Sequence, residues 1–211
     1  MMYLNLKDIQ FSYDNSQNVV LSNFSVSIDQ GEIVSVVGNS GSGKSTLLRI
    51  ISGLEDRSTG QIELDGDVLQ SSKVFVQPEK RKIGFVFQDY ALYPFLNVRQ
   101  NIEFGIKKLP PKERKRRIEE TLSLVKINEL EKRFPHELSG GQMQRVALAR
   151  ALAPKPRVLL MDEPFSNLDT ELVGELRLEL RSLLKKEGMT VILVTHNQDD
   201  AGFMADRIIK I

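Results

Sequence analysis

The sequence contains no cysteine, which excludes disulfides, thiolate zinc sites, iron–sulfur clusters and cysteine-based catalysis. Its two histidines, His136 and His196, lie far apart and are too few for a zinc cluster. No apolar run approaches the roughly 18 residues of a spanning helix. The opening stretch from Met1 to Asp8 lacks the basic-then-apolar order of a secretory leader, so the chain is expected to stay in the cytosol. An excess of one charge is missing too. Lys and Arg number 29 against 28 Asp and Glu, so no overall field draws the chain to nucleic acid or anionic lipid, and no nucleic-acid partner is expected. Internal repeats and low-complexity linkers are also lacking. What is there is 211 residues, 41% hydrophobic and 27% charged, enough for a sizeable buried core and about one domain.

The first third alternates short apolar stretches with turn residues, at Leu4 to Phe11, Phe24 to Ile28, Glu32 to Val37 and Gly60 to Leu64, which predicts strands, partly antiparallel. From Pro111 to Lys126 the pattern turns helical, with Ile118, Leu122 and Val125 on one face. The basic run from Lys112 to Arg117 has Glu113, Glu119 and Glu120 within one helical turn, so it reads as a solvated mixed-charge face. Gln142 to Leu152 predicts another helix, stopped by Pro154 and Pro156. The apolar runs Val158 to Met161 and Val191 to Val194 flank a helix carrying Leu172, Leu176, Leu180, Leu183 and Leu184, the order of buried parallel strands in a βαβ unit.

The strand predicted over Glu32 to Val37 runs into Gly38-Asn39-Ser40-Gly41-Ser42-Gly43-Lys44-Ser45-Thr46, and a helix follows. That is the strand, phosphate loop, helix order of a nucleotide site. The glycines let backbone N–H groups turn inward, and the helix N-terminus adds positive potential. Lys44 has the reach for β- and γ-phosphates, and the Ser45 hydroxyl suits Mg²⁺. Such a site also needs an acid for the metal shell and a group that handles the attacking water. Asp162 and Glu163, at the carboxyl end of an apolar strand, offer both: Asp162 for the metal, Glu163 as general base.

Leu138-Ser139-Gly140-Gly141-Gln142, followed by Met143 to Leu152, decides the branch of phosphate-loop proteins. The segment resembles the signature motif of ATP-binding-cassette (ABC) proteins, and the whole chain is similar to the ATPase subunit of an ABC transporter. The resemblance implies an α/β fold. Its core is a phosphate-loop NTPase of RecA-like type, with an N-terminal antiparallel β subdomain and an inserted helical subdomain. It divides residues 1–211, one ABC ATPase domain, into a catalytic lobe (1–88 and 158–211) and a helical signature lobe (89–157). It implies ATP and Mg²⁺ as ligands. It also implies a head-to-tail dimer in which Ser139, Gly140, Gly141, Gln142 and Asp169 of one copy close over the phosphate loop of the other.

Further positions fall in the family's order. Gln88 resembles the glutamine that touches Mg²⁺ or the attacking water. Tyr13 stands where an aromatic ring stacks on adenine, with Val20 beside it. Ser166 to Asp169 resembles the loop that crosses the dimer interface, with Asn167 in place of the family's usual alanine. His196 is placed like the switch histidine, although His196 to Gly202 departs from the usual His-Asp-Gln-Glu-Glu-Ala-Leu. The stretch from Gln88 to Ile102 is similar to bacterial importers of maltose, polyamine, sulfate and ferric ion. It implies an exposed aromatic groove at Tyr90 to Val98 that receives a transmembrane permease, with the subunit on the cytoplasmic face of the bacterial membrane. The solute class implied is an inorganic ion such as ferric iron, a polyamine or a sugar. A soluble ABC-type ATPase and an exporter ATPase are the alternatives. No C-terminal regulatory domain is expected within Met1 to Ile211.

Overall fold

Strands form where the apolar runs are. The computed structural model describes residues 2–13, 19–168 and 170–211, with 170–172 described as backbone only. β1 (Met2–Ser12) and β2 (Val19–Asp29) pair antiparallel, and β1 also pairs with β4 (Thr59–Leu64), which pairs with β5 (Asp67–Gln70), giving the order β2-β1-β4-β5. A strict two-residue alternation could not bury Leu4, Leu6, Ile9 and Phe11 on one face. The register shifts between Leu6 and Ile9, where Asp8 has φ of 52°, and this bulge resets the phase so that all four are buried.

The second sheet is parallel throughout. It comprises β3 (Ile33–Val37), β6 (Ile83–Val86), β7 (Val158–Asp162), β8 (Thr190–Thr195) and β9 (Arg207–Lys210), in the order β6-β7-β8-β3-β9. Its central strands are covered on both faces, which is why β7 and β8 read as unbroken apolar runs. On one face Val36, Leu160, Ile192 and Val194 share a core with α1 (Lys44–Ser52) and the antiparallel sheet. On the other, Leu159, Met161 and Leu193 share a core with the helices. Three of these, α2 (Val98–Phe104), α3 (Pro111–Leu124) and α4 (Gly140–Leu152), lie in sequence between β6 and β7. α5 (Thr170–Lys186) and α6 (Gln198–Met204) flank β8.

α3 buries Ile118 and Leu122, and its basic run pairs along the helix, Lys115 with Glu119, Arg116 with Glu120 and Arg117 with Glu113, as the mixed-charge reading expects. α4 starts at Gly140 rather than Gln142, because Ser139 caps it. Because all five strands of the second sheet are parallel, the residues after β3, β6, β7 and β8 emerge at one carboxyl edge, the edge at which open α/β sheets bind ligands.

Arg81 is a buried cation that the sequence did not single out. Its Nε donates to the Val76 carbonyl at 2.8 Å, and Nη1 donates to the last-turn carbonyls of Ile50 and Ile51 at 2.9 Å each, so it closes the C-terminus of α1. Burial pulls its guanidinium down to about 10, still protonated at neutral pH. Arg81→Met is expected to cost about 2–4 kcal/mol, because it removes the donor to the Ile51 and Val76 carbonyls and leaves Ile50 with the Gly53 N–H alone. Chemical denaturation of the two proteins measures the difference.

Candidate active site

The loop from Gly38 to Gly43 joins β3 to α1, and its backbone is shaped by glycine. Gly43 has φ of 92°, and a Cβ there would meet the Val20 side chain at 2.8 Å, so only glycine lets β2 approach the helix start. The N-terminus of α1 carries no side-chain cap and no acidic residue in its first turn, which leaves its amide donors and positive potential facing the loop. The Lys44 ammonium folds over the same loop, donating to the carbonyls of Gly38 at 2.9 Å and Asn39 at 2.8 Å. The Ser42 hydroxyl is buried inside it with no hydrogen-bond partner among the described residues. Such a concave set of donors suits a polyphosphate.

Half-exposed Tyr13 shares a 2.9 Å hydrogen bond between its hydroxyl and Thr46 Oγ1, and its ring meets Phe11 edge-on. Tyr13 and Val20 are thus both brought to the rim of the loop. Ser45 Oγ donates to Asp162 Oδ1 at 2.9 Å, joining α1 to the end of β7. Burial pushes the Asp162 carboxyl up, the Ser45 hydroxyl opposes that, and the neighbouring Glu163 charge adds to it. The paired Ser45 hydroxyl and Asp162 carboxylate are hard oxygen donors, of the kind that hold Mg²⁺ by one or two protein oxygens with water and phosphate completing the shell.

Glu163 is the strained residue of the site. Its backbone adopts φ of 43°, a region that a non-glycine residue rarely occupies. Its N–H donates to the Val194 carbonyl at 2.9 Å, and its own carbonyl accepts from the Ser166 hydroxyl at 3.0 Å, so neighbouring segments hold the turn. Two side chains converge on its carboxylate: His196 Nδ1 lies 3.0 Å from Oε2, and Gln88 Nε2 lies 3.4 Å from the same oxygen. Four predicted residues, on three separate strand ends, thus meet the phosphate loop at one edge. A cavity of about 390 Å³ opens beside Glu163 and His196. A larger one, about 450 Å³, lies away from this chemistry between α4 and α5.

The signature segment is closed by its own capping bonds. Ser139 and Gln142 form a reciprocal capping box, with Gln142 N–H donating to Ser139 Oγ at 3.4 Å and Ser139 N–H donating to Gln142 Oε1 at 3.0 Å. The Ser139 hydroxyl accepts there and retains its own proton as a donor. Among the described residues none of these bonds reaches Gly38 to Thr46. Gly140 and Gly141 are held close to the following segments: a Cβ on Gly140 would meet the Asn167 carbonyl at 3.2 Å, and one on Gly141 would meet Leu176 at 3.4 Å. Asn167 uses its side chain to bridge backward, its Nδ2 donating to the Gln88 carbonyl at 2.8 Å. Asp169 falls outside the described residues.

The aromatic groove differs from expectation at both ends, since Val98, the first residue of α2, is wholly buried and Tyr90 nearly so. Tyr90 is 4% exposed and belongs to the helical core, because Tyr90 and Ala91 turn through positive φ (61° and 45°) and fold the ring inward. Arg150 of α4 holds that turn by donating to both carbonyls. The exposed rings are Tyr93 and Phe95, the latter 89% exposed, with Phe104 against Tyr93 at 4.5 Å. Asn101, wholly buried, ties the loop down through Tyr93 N–H and the carbonyls of Tyr93, Leu96 and Asn97. Sequence reasoning missed Arg150 and Asn101; a polar residue inside an otherwise apolar helical stripe was the only signal.

The pattern of the ABC transporter family matches residues 21–166. The chain belongs to that family. It is 47% identical over 207 residues to the putrescine transport ATP-binding protein of Escherichia coli (strain K12), covering 97% of this chain and 53% of that protein. It is 50% identical over 191 residues to the sulfate/thiosulfate import ATP-binding protein of Synechocystis sp., covering 90% and 53%. The chain thus spans about half the length of the curated relatives it matches. Among solved structures it resembles an ATP-binding cassette determined as a dimer in a post-hydrolysis state bound to ADP and Pi, with TM-score 0.82, 34% identity, and coverage of 99% and 94%. It also resembles a Clostridium perfringens protein described as part of an ABC transporter complex, with TM-score 0.88, 32% identity, and coverage of 100% and 85%. An antiparallel and a parallel sheet lie about the phosphate loop of this chain, and the likeness to those structures bears out the fold expected from the sequence.

Proposed function

We propose that this chain hydrolyses ATP to drive solute uptake through a membrane permease, working as one half of a head-to-tail dimer. The observation that carries the reading is the convergence of Gln88 and His196 on the Glu163 carboxylate, beside the Ser45–Asp162 pair at the mouth of the phosphate loop. Amides of Gly38 to Lys44, the Lys44 ammonium and the start of α1 hold the phosphates, with Tyr13 and Val20 beside the base. Ser45, Asp162 and Gln88 would hold Mg²⁺, which when bound supplies charge neutralisation to the β- and γ-phosphates. Glu163 takes a proton from water as its oxygen attacks the γ-phosphorus, and the bond to the bridging oxygen of ADP breaks. His196 and Gln88 orient the Glu163 carboxylate for that transfer.

The second copy supplies Ser139, Gly140, Gly141, Gln142 and Asp169, so each nucleotide is enclosed by two chains. Closure draws on nucleotide binding energy, and hydrolysis reverses it. The permease seats at Tyr93, Phe95 and the loop that continues to Val98, on the cytoplasmic side of the membrane. No described helix is long and apolar enough to cross the membrane, so that contact is the anchor the proposal needs. Relatives named for spermidine/putrescine import and sulfate/thiosulfate import favour a small charged solute over a sugar.

Phosphate release from Mg-ATP by the purified protein tests the first half. The second half predicts that Phe95→Asp, folded by circular dichroism, no longer co-purifies with the membrane subunit. Retention of wild-type recovery by that variant would remove the groove from the proposal.

A further inference from the structure

We propose that Arg177 is a positioning residue that holds the His196 loop against the Glu163 segment, an inference that rests on the hydrolytic reading above and deepens it. Arg177 lies on α5, outside every motif of the site, yet its guanidinium ion-pairs with Asp200 Oδ1 on α6. It stands between two rings, 5.8 Å from the centroid of Phe165 and 5.9 Å from that of Phe203. Phe165 is two residues beyond Glu163 in the same turn. Asp200 is 5% exposed, and its other oxygen accepts the Thr195 hydroxyl at 3.0 Å. Thr195 Oγ1 in turn accepts the Asn197 N–H at 3.0 Å, and Asn197 Oδ1 caps α6 by accepting the N–H groups of Asp199 and Asp200.

Both chain neighbours of His196 are therefore fixed by one network, buried at Thr195 and Asp200, whose cation is Arg177. The same cation lies over the ring that follows Glu163. His196 itself is exposed and keeps a single 3.0 Å contact with Glu163. Its placement comes from its neighbours rather than from its own packing. A buried carboxylate stripped of its cation must find new partners, and that repacks the network around Thr195 and Asn197. The imidazole is then displaced from Glu163, where a shift of about 1 Å is enough to cost on the order of a hundredfold in turnover.

With only two histidines in the chain, a His136→Gln background leaves His196 as the single imidazole visible by NMR. At fixed pH and without nucleotide, Arg177→Met and Asp200→Asn are each expected to move its ring Cε1–Hε1 signal. Turnover is expected to fall by about ten- to a hundredfold, with KM for ATP within about twofold. The double variant should lose no more than the worse single variant, because both remove one interaction. Asp200→Glu, which keeps the carboxylate, should restore turnover to within about threefold of wild type. If Arg177→Met fails to fold, Asp200→Asn carries the test. An unmoved His196 signal, or losses that simply add, would overturn the positioning role. A wild-type protein that hydrolyses no ATP would sink the hydrolytic reading instead, and the NMR arm is read without it.

Discussion

Glu163→Gln is expected to lower ATP turnover by about 10²–10⁴-fold, the range for losing a positioned general base. The substitution preserves shape and removes the capacity to accept a proton. The amide keeps an oxygen and a nitrogen for His196 and Gln88, which lie 3.0 and 3.4 Å from the native Oε2, so the turn held by Val194 and Ser166 should survive. Nucleotide binding should survive as well, because the Glu163 carboxylate is engaged by His196 and Gln88 and forms no hydrogen bond to the loop or Lys44 among the described residues. With binding intact and chemistry stopped, ATP-loaded dimers should accumulate. Size-exclusion chromatography with Mg-ATP should show a dimer for the variant under conditions where the wild type returns to monomer. Wild-type turnover in Glu163→Gln would remove the base assignment. Loss of ATP affinity in step with turnover would point to a collapsed turn.

The strained φ of 43° at Glu163 bears on why the site is built this way. A strand continuing past Asp162 would send the next side chain to the opposite face of the sheet. The left-handed turn instead aims two consecutive carboxylates into one space, Asp162 towards Ser45 and Glu163 towards His196. Glycine would adopt the turn without strain and bring no base. The hydrogen bonds from Val194 and Ser166 are what hold it.

Much of this was legible in the sequence because local pattern and chemistry agreed. The phosphate loop needs glycines, a lysine and a following helix within one short segment, and all are contiguous between Gly38 and Ile51. β7 and β8 are buried on both faces, so their apolar runs are unbroken, and the functional residues stand where the runs stop. What was illegible depends on approach between segments distant in the chain. Tyr90 belongs to an aromatic stretch that reads as a groove, yet two consecutive left-handed residues turn its ring inward, and Arg150, sixty residues on, braces that turn. Arg81 and Arg177 look like ordinary charges on amphipathic segments. Their carbonyl and carboxylate partners are set by tertiary packing, which periodicity cannot see. Asn167 read as a departure from the usual alanine, and its bond to the Gln88 carbonyl gives the departure a physical use.

Ser139→Arg is expected to remove turnover while ATP affinity of the monomer stays within about twofold of wild type, since the hydrogen bonds of Ser139 and Gln142 close on each other and not on the phosphate loop. In the proposed dimer the start of α4 faces the partner's γ-phosphate, and its hydroxyl proton and first-turn amides are the donors. An arginine at the cap removes that hydroxyl and places a long side chain where two backbones must meet. The two-fold geometry makes a sharper prediction. Lys44→Ala abolishes the phosphate loop of one copy, and Ser139→Arg abolishes the signature of the other, so each homodimer is inactive. In the mixed dimer both lesions fall in one composite site, and the other site has a native loop and a native signature. If sites turn over independently, an equimolar mixture of the two inactive proteins should regain about a quarter of wild-type activity, since half the dimers are mixed and half of their sites intact. Activity of each variant alone and of the mixture, followed by phosphate release, checks this. Equal loss of monomer affinity and turnover in Ser139→Arg would place the signature in its own chain's site, and a mixture that stayed inactive would overturn independent composite sites.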